Sequence, residues 1–96
     1  MTDAEKLKAI YDYAKRSYDF AIYTREFAST MFYEKHDETY TYEMVLDTQR
    51  DALTKGLFFN QIRQIIEEPD EYLKEQALLE EYVKRLEATK EKRNAN

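Results

Sequence analysis

Residues 3–33 read DAEKLKAIYDYAKRSYDFAIYTREFASTMFY, with no proline or glycine to interrupt them. Thr2 precedes the run and Glu5 follows three residues later, the spacing of a capping box in which each side chain accepts from the other's backbone N–H. Asp3 and Glu5 also lie near the positive end of the helix dipole. One helix over 3–33, on the order of 45 Å long, is predicted. Wound at 100° per residue, its apolar arc is centred on Ile10, Ala14, Ser17, Ala21, Thr24 and Ala28, mostly small residues. Tyr11, Tyr18 and Ile22 form one edge; Tyr13, Phe20, Phe27 and Met31 form the other. Small residues at the centre let another helix backbone come close, with rings closing around both sides. The arc covers more than half the circumference, wider than one neighbouring helix needs.

Outward from this run, the polar stretch Glu34-Lys35-His36-Asp37-Glu38 reads as a loop. A second helix is predicted from about Thr39 or Thr41, either of which supplies a capping hydroxyl. Tyr42, Val45, Leu46, Gln49, Ala52 and Leu53 share one face, whereas Phe58, Phe59, Ile62, Ile65 and Ile66 read as roughly opposite, with the only glycine, Gly56, between. Two accounts fit: Gly56 kinks or ends the helix, or the helix is continuous and its halves meet different neighbours. Pro69 stops this segment or opens the next, with Asp70 and Glu71 suited to a first turn. Tyr72, Gln76, Leu79, Val83 and Leu86 follow the 4-3 spacing of a coiled-coil seam. No large apolar residue follows Leu86, so fraying is expected there, with residues 91–96 a polar tail and 1–90 one domain.

Composition agrees with an all-helical chain. Ninety-six residues contain one glycine and one proline, too few for a fold built on tight turns. There is no cysteine, hence no disulfide and no thiolate ligand. A formal charge of −5 and a pI near 4.9 oppose direct nucleic-acid binding, which needs clustered Lys and Arg. No apolar run approaches a membrane span, and the N-terminal residues lack the pattern of a secretory signal; a cytoplasmic protein is expected. Nine tyrosines and five phenylalanines suit half-buried positions and interfaces, or simply a small core filled with rings.

Chemistry-bearing patterns are sparse. His36, the only histidine, sits in the most polar stretch, and the His36-Asp37 dipeptide lacks the further histidines that phosphohydrolases using it require. A helical di-metal site takes Glu-x-x-His from two helices, and no glutamate stands three residues before His36. No catalytic residue, cofactor or metal is expected, and no enzyme. Acidic residues gather in two stretches, one including Glu34, Asp37 and Glu38, the other Glu67, Glu68, Asp70 and Glu71. They serve solubility, or they face a basic groove on a partner and speed association with it.

The opening Met-Thr-Asp-Ala-Glu-Lys-Leu-Lys-Ala-Ile-Tyr-Asp-Tyr-Ala resembles the start of many small acidic helical proteins encoded by bacteriophages and prophages of Gram-positive bacteria. The resemblance covers about the first fifteen residues and carries no residue-level function. It implies a phage accessory protein, a group that includes inhibitors of host defence enzymes, acting in the host cytoplasm.

The expected architecture is an all-α antiparallel bundle of three long helical segments, or four with a break at Gly56, forming a homodimer. The expected function is non-catalytic protein binding: occlusion of a host defence or nucleic-acid-processing protein, with Tyr11, Tyr18, Tyr33 and Tyr40 as anchors and the two acidic stretches for steering. Alternatives are a self-associating scaffold and a bacteriocin-immunity-type helical bundle, though the latter are often basic.

Overall fold

The N-terminal cap forms as its spacing requires. The Glu5 amide donates to Thr2 Oγ1 at 3.1 Å and the Thr2 amide to Glu5 Oε1 at 3.2 Å, so two amides that a helix start leaves unpaired are satisfied reciprocally. The computed structural model describes residues 1–95, and among them the chain is all-α, with no strand. Helix α1 spans Asp3–Ser29, α2 Tyr42–Glu67 and α3 Pro69–Ala95. The chain divides into two compact units, Met1–Arg63 and the remainder from Gln64.

In the first unit, α1 and α2 form an antiparallel hairpin: Tyr11 and Tyr18 meet Phe59 at one end, and Phe27 meets Tyr40 at the other. Its centre is narrow. Ala14, Ala21 and Ala28, each seven residues from the next, are buried on α1, and Val45 and Ala52 are buried on α2. No larger side chain is buried among the described residues. Seven-residue spacing on both helices keeps a straight seam facing its partner over four turns, and alanine there permits close approach.

The end of α1 departs from regular helix. Thr30–Glu34 forms a π-helical turn, closed by the Lys35 amide on the Thr30 carbonyl at 3.0 Å. His36 then takes φ 51°, the left-handed conformation that usually falls to glycine after a helix, and the Asp37 amide reaches back to the Met31 carbonyl at 2.9 Å. His36 is an exposed loop residue, as the sequence reading has it, and its left-handed backbone adds a helix-ending role that the polar run alone does not reveal. Asp37 builds the next turn: Thr39 donates to its Oδ1 from the amide at 2.9 Å and from the hydroxyl at 2.6 Å. Thr41, rather than Thr39, caps α2, accepting from the Met44 amide at 3.2 Å.

Of the two accounts of Gly56, continuity holds: α2 runs through it without a break. The expected reversal of the buried face is not seen. Phe59 lies seven residues beyond Ala52, on the same stripe as Val45 and Ala52, and is half-buried, whereas Phe58, Ile65 and Ile66 are exposed. The glycine has a packing role instead. A Cβ there would stand 2.9 Å from Tyr18 Cε1, closer than carbon atoms tolerate, so the missing side chain is the space that the Tyr18 ring fills.

The second unit holds the last turn of α2, Glu68 and α3. Pro69 opens α3 at the position where a missing N–H costs least, and α3 starts with the acids Asp70 and Glu71. The Glu68 amide donates to Gln64 at 2.7 Å, the Tyr72 amide donates to Glu68 at 3.0 Å, and Gln64 Nε2 donates to Glu75 Oε1 at 3.1 Å. Helix α3 continues past Leu86, where fraying was expected, to Ala95; the last residue of the expected tail, Asn96, lies outside the described residues. Exposed pairs such as Glu81–Arg85 at 2.7 Å each contribute a few tenths of a kcal/mol to such a polar helix.

Candidate interaction surface

The two aromatic edges of α1 meet different fates. Tyr11, Tyr18 and Ile22 are half-buried toward α2. Phe59 is their shared partner: Tyr11 contacts it edge-on with ring centroids 5.3 Å apart, and Tyr18 stacks on it at 6.0 Å and 19°. On the opposite edge Tyr13, Phe20 and Phe27 are 69%, 67% and 45% exposed. Tyr23, also exposed, stacks with Phe27 at 6.4 Å and 18°. Because 13, 20 and 27 are seven apart, these rings line up along the helix with a drift of only about 20° per step. Tyr13, Arg16, Ser17 and Phe20 enclose a shallow groove on this ridge.

The tyrosines singled out as anchors therefore divide. Tyr11 and Tyr18 hold the hairpin together, with Phe59 between them. Tyr40 is half-buried with its ring edge-on to Phe27, at 5.8 Å. Tyr33 is exposed and rests edge-on against Phe32 at 4.8 Å. The rings that present the most surface to water, Tyr13, Phe20 and Tyr23, were not among the chosen anchors. For Tyr13 and Phe20 the signal was present in the helical winding, as the edge that a single neighbouring helix leaves uncovered; Tyr23 was not placed on that edge.

The acidic residues also fall into separate settings. Glu34 ends the π-turn and Glu38 lies in the loop, both exposed and both in the first unit. Asp37 is committed to its turn: the Thr39 hydroxyl, then the Thr39 amide, hold its carboxyl below the usual aspartate range by stabilising the charged form. Glu67, Glu68, Asp70 and Glu71 are exposed around the start of α3 in the second unit, with Glu71 3.4 Å from Lys74.

Among the described residues no polar or charged side chain is buried, and no group of three or more His, Asp or Glu side chains is placed to hold a metal ion. None of the described helices is long and apolar enough to cross a membrane. The grooves are open and lined by helix-face side chains, so what the surface offers is apolar area, ring faces and charge. No protein-family model matches the chain, and no curated protein or solved structure is similar to it.

Proposed function

We propose that the chain is a non-catalytic protein-binding module that docks through the aromatic ridge of α1. The observation that carries this reading is the exposure of Tyr13, Phe20, Tyr23 and Phe27 along α1 while Tyr11 and Tyr18 on its opposite edge are half-buried against Phe59. A fully exposed ring of this kind presents on the order of 150–250 Å², so at 45–69% exposure the four together are comparable to the largest patches on ordinary monomers, which are commonly functional. Aromatic rings of this kind supply most of the affinity in protein interfaces. Beyond the ridge in sequence stand the exposed Tyr33, edge-on to Phe32, and the exposed acids Glu34 and Glu38.

A partner that fits carries an apolar groove bordered by basic residues. Nucleic-acid-processing proteins, host defence enzymes among them, commonly have such basic grooves, and an acidic chain seated there occludes substrate. The formal charge of −5 and the phage-like opening segment support this form of the reading. Acidic steering raises the association rate and makes it salt-dependent.

The test is affinity capture from a bacterial lysate with the wild-type chain and with a Tyr13→Gln/Phe20→Gln variant, at low and high salt. Glutamine keeps helix propensity, so the variant is expected to melt as the wild type does. Capture of a basic protein by the wild type, lost in the variant and weakened by salt, is the expected result. Undiminished capture by the variant would remove the ridge from the interface.

A further inference from the structure

The tip of the hairpin, between α1 and α2, gathers rings and carboxylates around one hollow. Phe32, Tyr33, His36, Asp37, Glu38 and Tyr40 line about 320 Å³ there, open to solvent. Adjacent residues on a regular α-helix do not face each other. In the π-turn, however, the rings of Phe32 and Tyr33 meet with centroids 4.8 Å apart and planes at 85°. Two walls of the hollow thus stand nearly at right angles, and Tyr40 supplies a third ring. Neighbours hold two of these rings: Phe32 lies against Tyr42 at 6.1 Å, and Tyr40 against Phe27 at 5.8 Å. Rings already fixed in place lose little freedom when a ligand arrives. The lining contains two carboxylates and no lysine or arginine; Lys35, beside it in sequence, is not part of it. Asp37 commits Oδ1 to Thr39 and leaves Oδ2 without a hydrogen bond. The Glu38 carboxylate has neither a hydrogen bond nor an ion pair among the described residues.

Aromatic walls with acceptors beside them select an organic cation, because ring faces are negative by their quadrupole and carboxylates by their full charge. A quaternary ammonium has no N–H to give those acceptors. A primary ammonium is compact and strongly hydrated, so rings recover little of what it loses on leaving water. A guanidinium is planar and weakly hydrated; it stacks on a ring and donates a fork of N–H groups to a carboxylate. The volume lies at the lower end of the range for ligand sites, and an open hollow does not enclose most of a free molecule as small-ligand sites do. It suits the head of a side chain carried by something larger. We propose that the hollow of Phe32, Tyr33 and Tyr40, with Asp37 and Glu38 beside them, takes the guanidinium of an arginine displayed by the protein partner. This rests on the reading of the chain as a protein-binding module, and it names the group that its acidic tip meets in a basic groove. Tyr13, Phe20 and Tyr23 take no part in it, so its failure and that of the ridge are told apart.

Titration of the full chain with N-acetylarginine amide, followed by NMR, reads the hollow without any partner present. Saturable shifts of the Phe32, Tyr33 and Tyr40 ring signals at millimolar probe are expected. N-acetylcitrulline amide, of the same shape without the charge, is expected to leave them in place. Tyr33 is exposed, so Tyr33→Leu should melt as the wild type does while weakening probe binding on the order of fivefold. Glu38→Gln, at an exposed loop position, should weaken it severalfold by removing a charged acceptor. Unmoved rings, equal shifts with the citrulline probe, or shifts indifferent to both variants overturn the proposal. Free arginine binding on the order of tenfold more tightly than the blocked amide overturns a displayed side chain as the source. Tyr13→Gln/Phe20→Gln is expected to bind the probe unchanged, so the hollow stands or falls by this titration and the ridge by capture.

Discussion

Helix α1 has two aromatic edges built from the same residue types at the same spacing, yet one is structural and the other is in water. Tyr11 and Tyr18 converge on Phe59, and the vacancy at Gly56 admits the Tyr18 ring. Tyr13 and Phe20, on the other side of the alanine row, have no ring from α2 against them and remain about two-thirds exposed. The lesson is that an aromatic stripe does not declare its own role. What decides it is whether the neighbouring helix offers a large side chain opposite, and a two-helix hairpin has only one neighbour to offer. A helix with an apolar arc wider than one contact therefore divides its rings between holding the fold and presenting a surface.

The strongest way to break this comparison is to remove the alanine row that separates the edges. Ala21→Leu introduces three carbons at a site on the alanine row that is 1% exposed. It should cost about 3 kcal/mol, the upper part of the range for overpacking, read as a fall in the urea midpoint. A cost below about 1 kcal/mol would mean that the seam is looser than its burial indicates.

The edges themselves should differ by less, but in opposite senses for stability and binding. Phe59→Ala removes the partner of both inner rings and, being half-buried, should cost about 2 kcal/mol. Tyr13→Gln with Phe20→Gln should change stability by no more than about 0.5 kcal/mol, as exposed substitutions do. Equal losses in thermal melting for the inner and outer variants would erase the distinction drawn here.

The helix ends offer a finer test. His36→Gly relieves a left-handed backbone that costs a non-glycine residue about 1 kcal/mol, and should raise stability by about that amount. No gain would show that the π-turn and the Asp37 turn hold the loop without help from residue 36.

The smallest effect is expected at Gly56. Alanine gains about 1 kcal/mol in helix propensity, but its Cβ must displace the Tyr18 ring from its stack on Phe59, worth a similar amount. The two should nearly cancel in denaturant melts, while the NMR shifts of the Tyr18 ring move. An unmoved ring together with the full gain would show that the glycine is not needed for packing.

Much of this architecture was legible in the residue order. The capping box at Thr2 and Glu5, the small-residue centre of α1, Pro69 at a helix start and the absence of turn-forming glycines follow from local chemistry that acts within a few residues. These features determine where helices start and which face is apolar, because hydrogen-bond capping and the 3.6-residue repeat need no knowledge of distant neighbours. Only the tertiary structure decided that Gly56 accommodates a ring, that Phe59 stays on the buried stripe, and that Tyr11 and Tyr18 face inward while Tyr13 and Phe20 do not. Those outcomes depend on which side chain of α2 stands opposite each position of α1, a long-range pairing that the periodicity of either helix alone does not contain.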